Sequence, residues 1–485
     1  MPRLPLPIGF SFYQSESAPF SSQRCVNWIP VVAEDAALNT RALFQPPGLK
    51  QLVDSAVVGN RGSLQMKEIP YFVNGNSLLS MSSTNVITNH GTIAGSGNVS
   101  LANNGQYLVI VVPGGNAYAY NNVTSVLAQI TDVDFRTSGT VVFKDGYFVF
   151  SASDGAVFFN SALNDPFNYD ALDFGTAEIS SDKIVSLHVN HNELFVIGLE
   201  TIELFQNIGG VGFPFQRIPG ANIQKGAHAR FSPIEFDNTF CFVGGGLNEQ
   251  TAIWKVTGSS SAQKISSNAI DKEVQKFNKA EIEASFSMTF ARHGQFLALF
   301  TFESTRIPSR TFVYNATASA YMQRNVWFEL QTGVTDNRFR VQSIVQAYGK
   351  LLVGDQSTGI IGELDADTLD YYGDEITRFS ITAPFSENGV ELFSGEFEAT
   401  LQSGVGLTTG QGSNPQIRMS FSDDGGRTFS SEFSRSIGKI GEYGHRSIWR
   451  QQGRFPVSRM IKLKITDKVR ANLIRLAATP ELGQQ

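Results

Sequence analysis

Apolar residues along this chain come in short aromatic and aliphatic bursts bracketed by Gly, Asn, Asp or Ser, and long helical periodicity is rare. One phrase recurs: a turn residue or two, a strand-like burst, a second turn and another burst. It reads GNSLLSM from Gly75, GQYLVIVVPGGNAYAY from Gly105, GYFVFSASDGAVFFN from Gly146 and NELFVIGLETIELFQ from Asn192. It continues as NTFCFVGGGLNEQTAIWKV from Asn238, GQFLALFTF from Gly294 and GKLLVGDQSTGIIGEL from Gly349. From Gly75 to Gly349 the instances average about 46 residues apart, the length of a four-stranded propeller blade. Hairpin signals such as SDG and PGGN lie inside the units. The pattern predicts a mostly β chain with a β-propeller of six or seven blades over 61–375. Stacked sandwiches would fit the strands but would not explain their spacing.

Two flanking regions break this rhythm. Residues 1–60 carry Pro2, Pro5, Pro7, Pro19, Pro30, Pro46 and Pro47 and read as an irregular N-terminal arm draped on another surface. Residues 376–485 change to strands with alternating faces, as in RMIKLKI, where Met460, Ile461, Leu463 and Ile465 contrast with Lys462 and Lys464; this reads as a separate C-terminal β-sandwich-like domain. One short helix is expected near 268–283, where Ile270, Val274 and Phe277 recur at helical spacing behind Ser267 or Asn268 as N-cap.

Composition agrees with a β-rich chain: 485 residues with 38 Phe, 13 Tyr and 45 Gly. The net charge of −6 gives no global pull toward nucleic acid or anionic lipid. Cys25 and Cys241 are the only cysteines and are expected as two buried thiols. MPRLPLPIGFSFYQ has no apolar stretch of signal-peptide length, and the longest apolar run, Tyr107 to Val112, is a strand too short to span a bilayer. A soluble protein made in a reducing cytoplasm, without stable membrane insertion, is the expectation.

The stretch SFSDDGGRTF sets chemistry against architecture. Ser422, Asp424, Gly426, Thr428 and Phe429 fit S-x-D-x-G-x-T-[WF], an Asp-box hairpin in which the Asp bonds backbone N–H groups of its own turn, Gly supplies the left-handed conformation and the aromatic pins the turn to the sheet. A structural turn is expected here and no metal, because the consecutive Asp423 and Asp424 would face opposite ways. Asp boxes occur in sialidases, and the triplets Arg217-Ile218-Pro219 and Arg306-Ile307-Pro308 faintly echo a motif of those enzymes, but the box is not repeated along the propeller. His188 and His191 face opposite ways at strand spacing. DADTLDYYGDE from Asp365 lacks the spacing of a calcium loop, and the glycines at 209–210 and 244–246 precede no helix. No catalytic constellation, metal site or cofactor is indicated.

A basic segment stands apart. Between Arg435 and Arg475, eleven Lys or Arg against Glu442 and Asp467 leave +9, so the rest of the chain carries −15. Arg446, Arg450, Arg454, Arg459, Lys462 and Lys464 are the expected partner-binding face for an acidic neighbour, protein or DNA.

Three groups of residues resemble a known family. CVNWIP (25–30) with LFQPPGLKQL (43–52), ELFVIGLETIELFQNIG (193–209) with IQKGAHA (223–229), and SIWRQQGRF followed by RMIKLKI are similar, in the same order, to phrases of the packaged-DNA stabilisation proteins, or tail nozzle proteins (tail accessory factors), of short-tailed bacteriophages. The resemblance implies a non-enzymatic virion protein of the phage tail, assembled in the host bacterial cytoplasm. It implies a homo-hexamer below the portal and its adaptor ring that extends the channel for packaged double-stranded DNA, retains the genome until ejection, and meets needle, fibre or spike proteins. The alternatives are a sialidase-like or carbohydrate-binding propeller and a receptor-binding tail protein.

Overall fold

The computed structural model describes residues 4–482 apart from 181, 211, 387–390 and 456. Seven four-stranded units succeed one another around a ring. The first consists of Asn60–Met66, Ile69–Asn74, Ser77–Met81 and Ile87–Thr92. Its innermost strand packs on one side against Ser100–Asn103 of the second blade and on the other against Val341–Ala347 of the seventh, so the ring closes. The fifth blade splits its inner strand into Gly226–Ala227 and Ile234–Phe236.

The local signal behind each blade is a tight turn between its first and second strands. Lys67 and Glu68, Asp145 and Gly146, Asp237 and Asn238, His293 and Gly294, and Tyr348 and Gly349 each occupy two consecutive positive φ values, as a type I′ hairpin requires. The recurring sequence phrase marks this turn in six blades. In the first blade it marks the next turn, at Gly75, because the equivalent hairpin there is built by Lys67 and Glu68, which carry no turn signature. Second strands begin at Ile69, Tyr107, Tyr147, Glu193, Thr239, Gln295 and Lys350, and their bursts supply buried Phe72, Val109, Phe150, Leu194, Phe240, Leu299 and Val353.

The first 60 residues differ from the arm read in the sequence. They contribute short strands at Leu4–Leu6, Tyr13–Gln14, Ser22–Val26, Ile29–Val32, Arg41–Phe44 and Gly48–Asp54. The last of these pairs antiparallel with Ile360–Asp365 and completes the seventh blade. The others enter the sandwich, which is therefore not assembled from C-terminal residues alone. One of its sheets runs Ile29–Val32, Arg41–Phe44, Leu473–Leu482, Leu392–Leu401, Ser447–Arg450. The second runs Ser22–Val26, Arg378–Ile381, Met460–Ile465, Gln416–Ser422, Phe433–Ser436. Prolines obscured these strands because Pro5 and Pro30 lie on strands at sheet margins, where a missing N–H breaks no central ladder.

Ser22–Val26 also pairs in parallel with Trp327–Glu329 of the sixth blade, so a single sheet runs from propeller into sandwich. The core follows: Trp28, Leu43, Trp449, Leu463 and Leu473 share one cluster with Leu297 and Val313 of the sixth blade and Leu364 of the seventh. The expected helix is two short ones. Asn268–Val274 is capped by Ser267, and Lys279–Glu283 begins at Asn278, which forms a capping box with Glu281. A third helix, Ala316–Met322, has no apolar periodicity and was not legible. Cys25 and Cys241 are buried free thiols. No helix among the described residues is long and apolar enough to cross a membrane.

Candidate functional site

The Asp-box turn has the internal bonding its residues call for. The Asp424 carboxylate accepts from the Ser422 hydroxyl (2.7 Å), the Arg427 and Thr428 N–H groups (2.9 and 3.0 Å) and the Thr428 hydroxyl (2.6 Å). The Thr428 hydroxyl and N–H, then Ser422, hold its carboxyl well below the usual carboxylate range. Gly425 and Gly426 have φ of 77° and 89°. A Cβ on Gly425 would lie 2.7 Å from Pro19, and the Ser22 hydroxyl donates to the Gly425 carbonyl at 3.1 Å. Phe429 packs on Val26, Phe379, Ile381 and Met460. The turn thus fastens the N-terminal segment to the sandwich. Asp423 faces elsewhere, toward Arg459.

Arg459 is not part of an exposed basic face. It is 2% exposed, bidentate to Asp423 at 2.7 Å through both Nε and Nη2, and stacked between Phe421 and Phe455 at 4.0 and 4.7 Å. Lys462 is half-buried over Phe379 at 4.7 Å, and burial, then Lys464, lowers its pKa. The other four are partnered by acids: Arg446 with Glu398 (2.7 Å), Arg450 with Glu396 (3.4 Å), Arg454 with Glu391 (3.2 Å) and Lys464 with Glu432 (3.0 Å). Those acids lie outside the basic window or on a neighbouring strand, so a linear charge count overstates the field of this face. Of these six, Arg446, Arg450 and Arg454 present the most charge to solvent, with Arg450 and Arg454 side chains 74% and 67% exposed.

Sequence reasoning missed the best-built polar constellation, the joint between propeller and sandwich. Arg24 pairs with Glu329 (2.8 Å) and Asp336 (3.0 Å), and Arg310 reaches the same two carboxylates at 2.8 and 2.9 Å. Burial alone would lower the Arg24 pKa, but Glu329 and Asp336 hold it above its ordinary value. Three residues on, Asn27 is fully buried with φ 52°. Its Nδ2 donates to the Gln331 and Thr377 carbonyls (3.0 and 2.9 Å) while its Oδ1 accepts from the Gln331 N–H (2.9 Å). Gln331 follows the last strand of the sixth blade and Thr377 precedes a sandwich strand, so one amide bridges both bodies. Trp28 donates to Ala471 O, and Asn315 donates to Pro30 O. The phrase CVNWIP is a joint. Close approach explains Gly48 in PPGLKQL, whose Cβ would lie 2.3 Å from Thr368 O, and Gly226 in QKGAHA, whose Cβ would lie 2.3 Å from the Leu199 carbonyl carbon.

His188 packs on Phe240 at 4.5 Å with Nε2 buried and unpartnered, and burial pulls its pKa down to about 4. His191 sits in a hairpin at φ 52°. Among the described residues no three His, Cys, Asp or Glu gather as a metal site. The inner strands of the propeller close on an axial cavity of about 290 Å³ bordered by Arg61, Thr140, Ser186, Arg230, Phe231 and Gln342.

A family model described as bacteriophage P22 Gp10, β-propeller, matches residues 2–369, and one described as bacteriophage P22 Gp10, β-sandwich, matches residues 380–481. The tail hub protein gp10 of Salmonella phage P22 is 21% identical over 323 residues, which cover 64% of this chain and 66% of that protein; the chain thus spans just under two thirds of that relative's length. Among solved structures, the N-terminal domain of Nup159 is 11% identical with a TM-score of 0.38, covering 71% of this chain and 99% of that one. A chain of the S. cerevisiae complex of Dbp5 with Nup159 and Gle1 is 10% identical with a TM-score of 0.39, covering 70% and 100%.

Proposed function

Since the chain belongs to the P22 Gp10 family of short-tailed phage tail proteins, we propose that it is a structural tail component, assembled in the host cytoplasm, that extends the DNA channel below the portal and adaptor and retains packaged DNA until ejection. It carries out no catalysis in this reading.

The observation that carries the proposal is the joint. Sheet, core and a buried ionic network run without interruption from propeller to sandwich, which suits a part that transmits load rather than one whose domains move about a linker. The inner strands leave only a small axial cavity of about 290 Å³, bordered by side chains from several blades, which favours a DNA passage outside the propeller. In this reading the DNA passage runs between copies, and a closed ring of six subunits supplies it. Cyclic rings use heterologous interfaces that close by rotation. Arg446, Arg450 and Arg454 dock on an acidic partner, the adaptor ring, while Arg459 and Lys462 serve the fold. A channel that must release its genome gains nothing from many phosphate contacts, each adding about 0.9 to the salt slope. Needle, fibre or spike proteins complete the tail.

Particles assembled on the adaptor should show six copies around one axis by electron microscopy. A closed trimer, or a single copy per virion, overturns this reading.

A further inference from the structure

Four stretches of chain meet around a half-enclosed cavity of about 510 Å³: the hairpin of the N-terminal segment, the sixth-blade turn at Arg292, the seventh-blade loop at Asp367 and the sandwich at Arg470 and Asn472. Part of its lining is apolar, from Ile29, Val31 and Phe44. Phe44 remains 42% exposed at the end of its strand, an incomplete burial for a side chain of this size.

The remainder of the lining is cationic and amide-bearing. Arg470 is neutralised by Asp367 at 2.6 Å. The Arg292 side chain makes no ion pair or hydrogen bond among the described residues; burial lowers its pKa, and the more distant Asp365 and Asp367 only partly oppose that. The nearby Asp365 is occupied by the Thr368 N–H and hydroxyl at 3.1 and 2.7 Å. Beneath lies Gln45, whose Nε2 is buried without an acceptor. Its Oε1 accepts from Arg378, a fully buried guanidinium held by carbonyl and amide oxygens with no carboxylate. The lining therefore carries two guanidiniums against one carboxylate, beside an apolar shelf.

A half-buried guanidinium whose N–H groups have no acceptor, beside the unpaired Gln45 Nε2, favours a ligand with acceptor oxygens such as a carboxylate, and Phe44 favours an apolar group next to it. An inorganic anion would leave the shelf uncovered, and a neutral apolar ligand would leave Arg292 unpaired. We propose that this cavity binds an acidic peptide segment of a partner protein, a carboxylate on Arg292 and an apolar side chain on Phe44 and Val31. Because the lining comes from both bodies and the N-terminal hairpin, occupancy stabilises their joint by mass action. This assignment stands apart from the assembly reading, which copy number tests.

Calorimetric titration of the full chain with N-acetyl-L-phenylalanine, its uncharged amide and inorganic phosphate tests it. For a fragment of this size a dissociation constant on the order of 1 mM is expected for the carboxylate, with a raised melting temperature and at least tenfold weaker binding of the amide. Arg292→Met should abolish the preference for the carboxylate. Phe44→Ser, at an exposed position that leaves folding intact, should weaken the carboxylate without strengthening phosphate. Equal binding of amide and carboxylate, no binding of either, or phosphate competing as well as the fragment overturns the proposal.

Discussion

Replacing Asn27 by alanine removes one small side chain and three buried hydrogen bonds, to the Gln331 carbonyl and N–H and to the Thr377 carbonyl. Each is worth about 1 kcal/mol net, and more where the partner stays buried away from water, so the loss is about 3 kcal/mol. Alanine at φ 52° adds left-handed strain of about 1 kcal/mol, which brings the total to about 4 kcal/mol. Because Gln331 belongs to the propeller and Thr377 to the sandwich, the loss falls on the coupling between them. Scanning calorimetry should show a lower melting temperature and a transition that separates into two. Asn27→Gly removes the strain but none of the lost bonds, so it should remain destabilised. The reasoning is refuted by an Asn27→Ala shift worth less than about 1 kcal/mol with a single transition, or by full recovery in Asn27→Gly, which would make strain the whole effect.

Four further outcomes can be measured. Asp424→Ala should lower thermal stability and leave metal content unchanged; since the Asp424 carboxyl is held below the usual range, its contribution is present above about pH 4 and lost as pH falls below that, so Asp424→Asn should flatten the acid limb of the stability profile. Arg459→Glu should unfold the sandwich, because breaking a buried pair costs about 3–5 kcal/mol, whereas Arg450→Glu with Arg454→Glu should leave the fold intact and weaken adaptor docking; a complete, infectious particle from the double variant would remove the docking role. His188 is neutral in the folded chain with a pKa near 4, so stability is full above about pH 6.5 and falls as pH drops from there toward 4; His188→Leu should lose that slope in denaturation curves. Burial raises both thiols, Cys241 to about 12, so neither should react with a thiol reagent until the protein is denatured.

The repeat was legible because each blade is a local object: a positive-φ turn such as Asp145-Gly146 and the burst after it lie within a few residues of each other. The Asp box was legible for the same reason, since Ser422, Asp424 and Thr428 bond one another. What that turn holds was not, because Pro19 and Ser22 approach it from the far end of the chain. The basic segment was misjudged in the same way. A window count sees Arg459 beside Arg454 and cannot see Asp423, Phe421 and Phe455 closing around it.

Sequence alone therefore determined the elements whose hydrogen bonds close within a hairpin: the mostly β class, the propeller repeat, the Asp-box turn and the alternation of the final strands. Tertiary structure decided everything that depends on pairing across hundreds of residues. Gly48–Asp54 finds Ile360–Asp365 to shut the ring, Ser22–Val26 joins Trp327–Glu329 to Arg378–Ile381, and Arg24 meets Glu329 and Asp336. A short strand such as Ser22–Val26 or Gly48–Asp54, set among prolines, has too little intrinsic preference to announce itself. Its stability comes from backbone groups and apolar surface supplied by distant partners, and those exist only once the chain has folded.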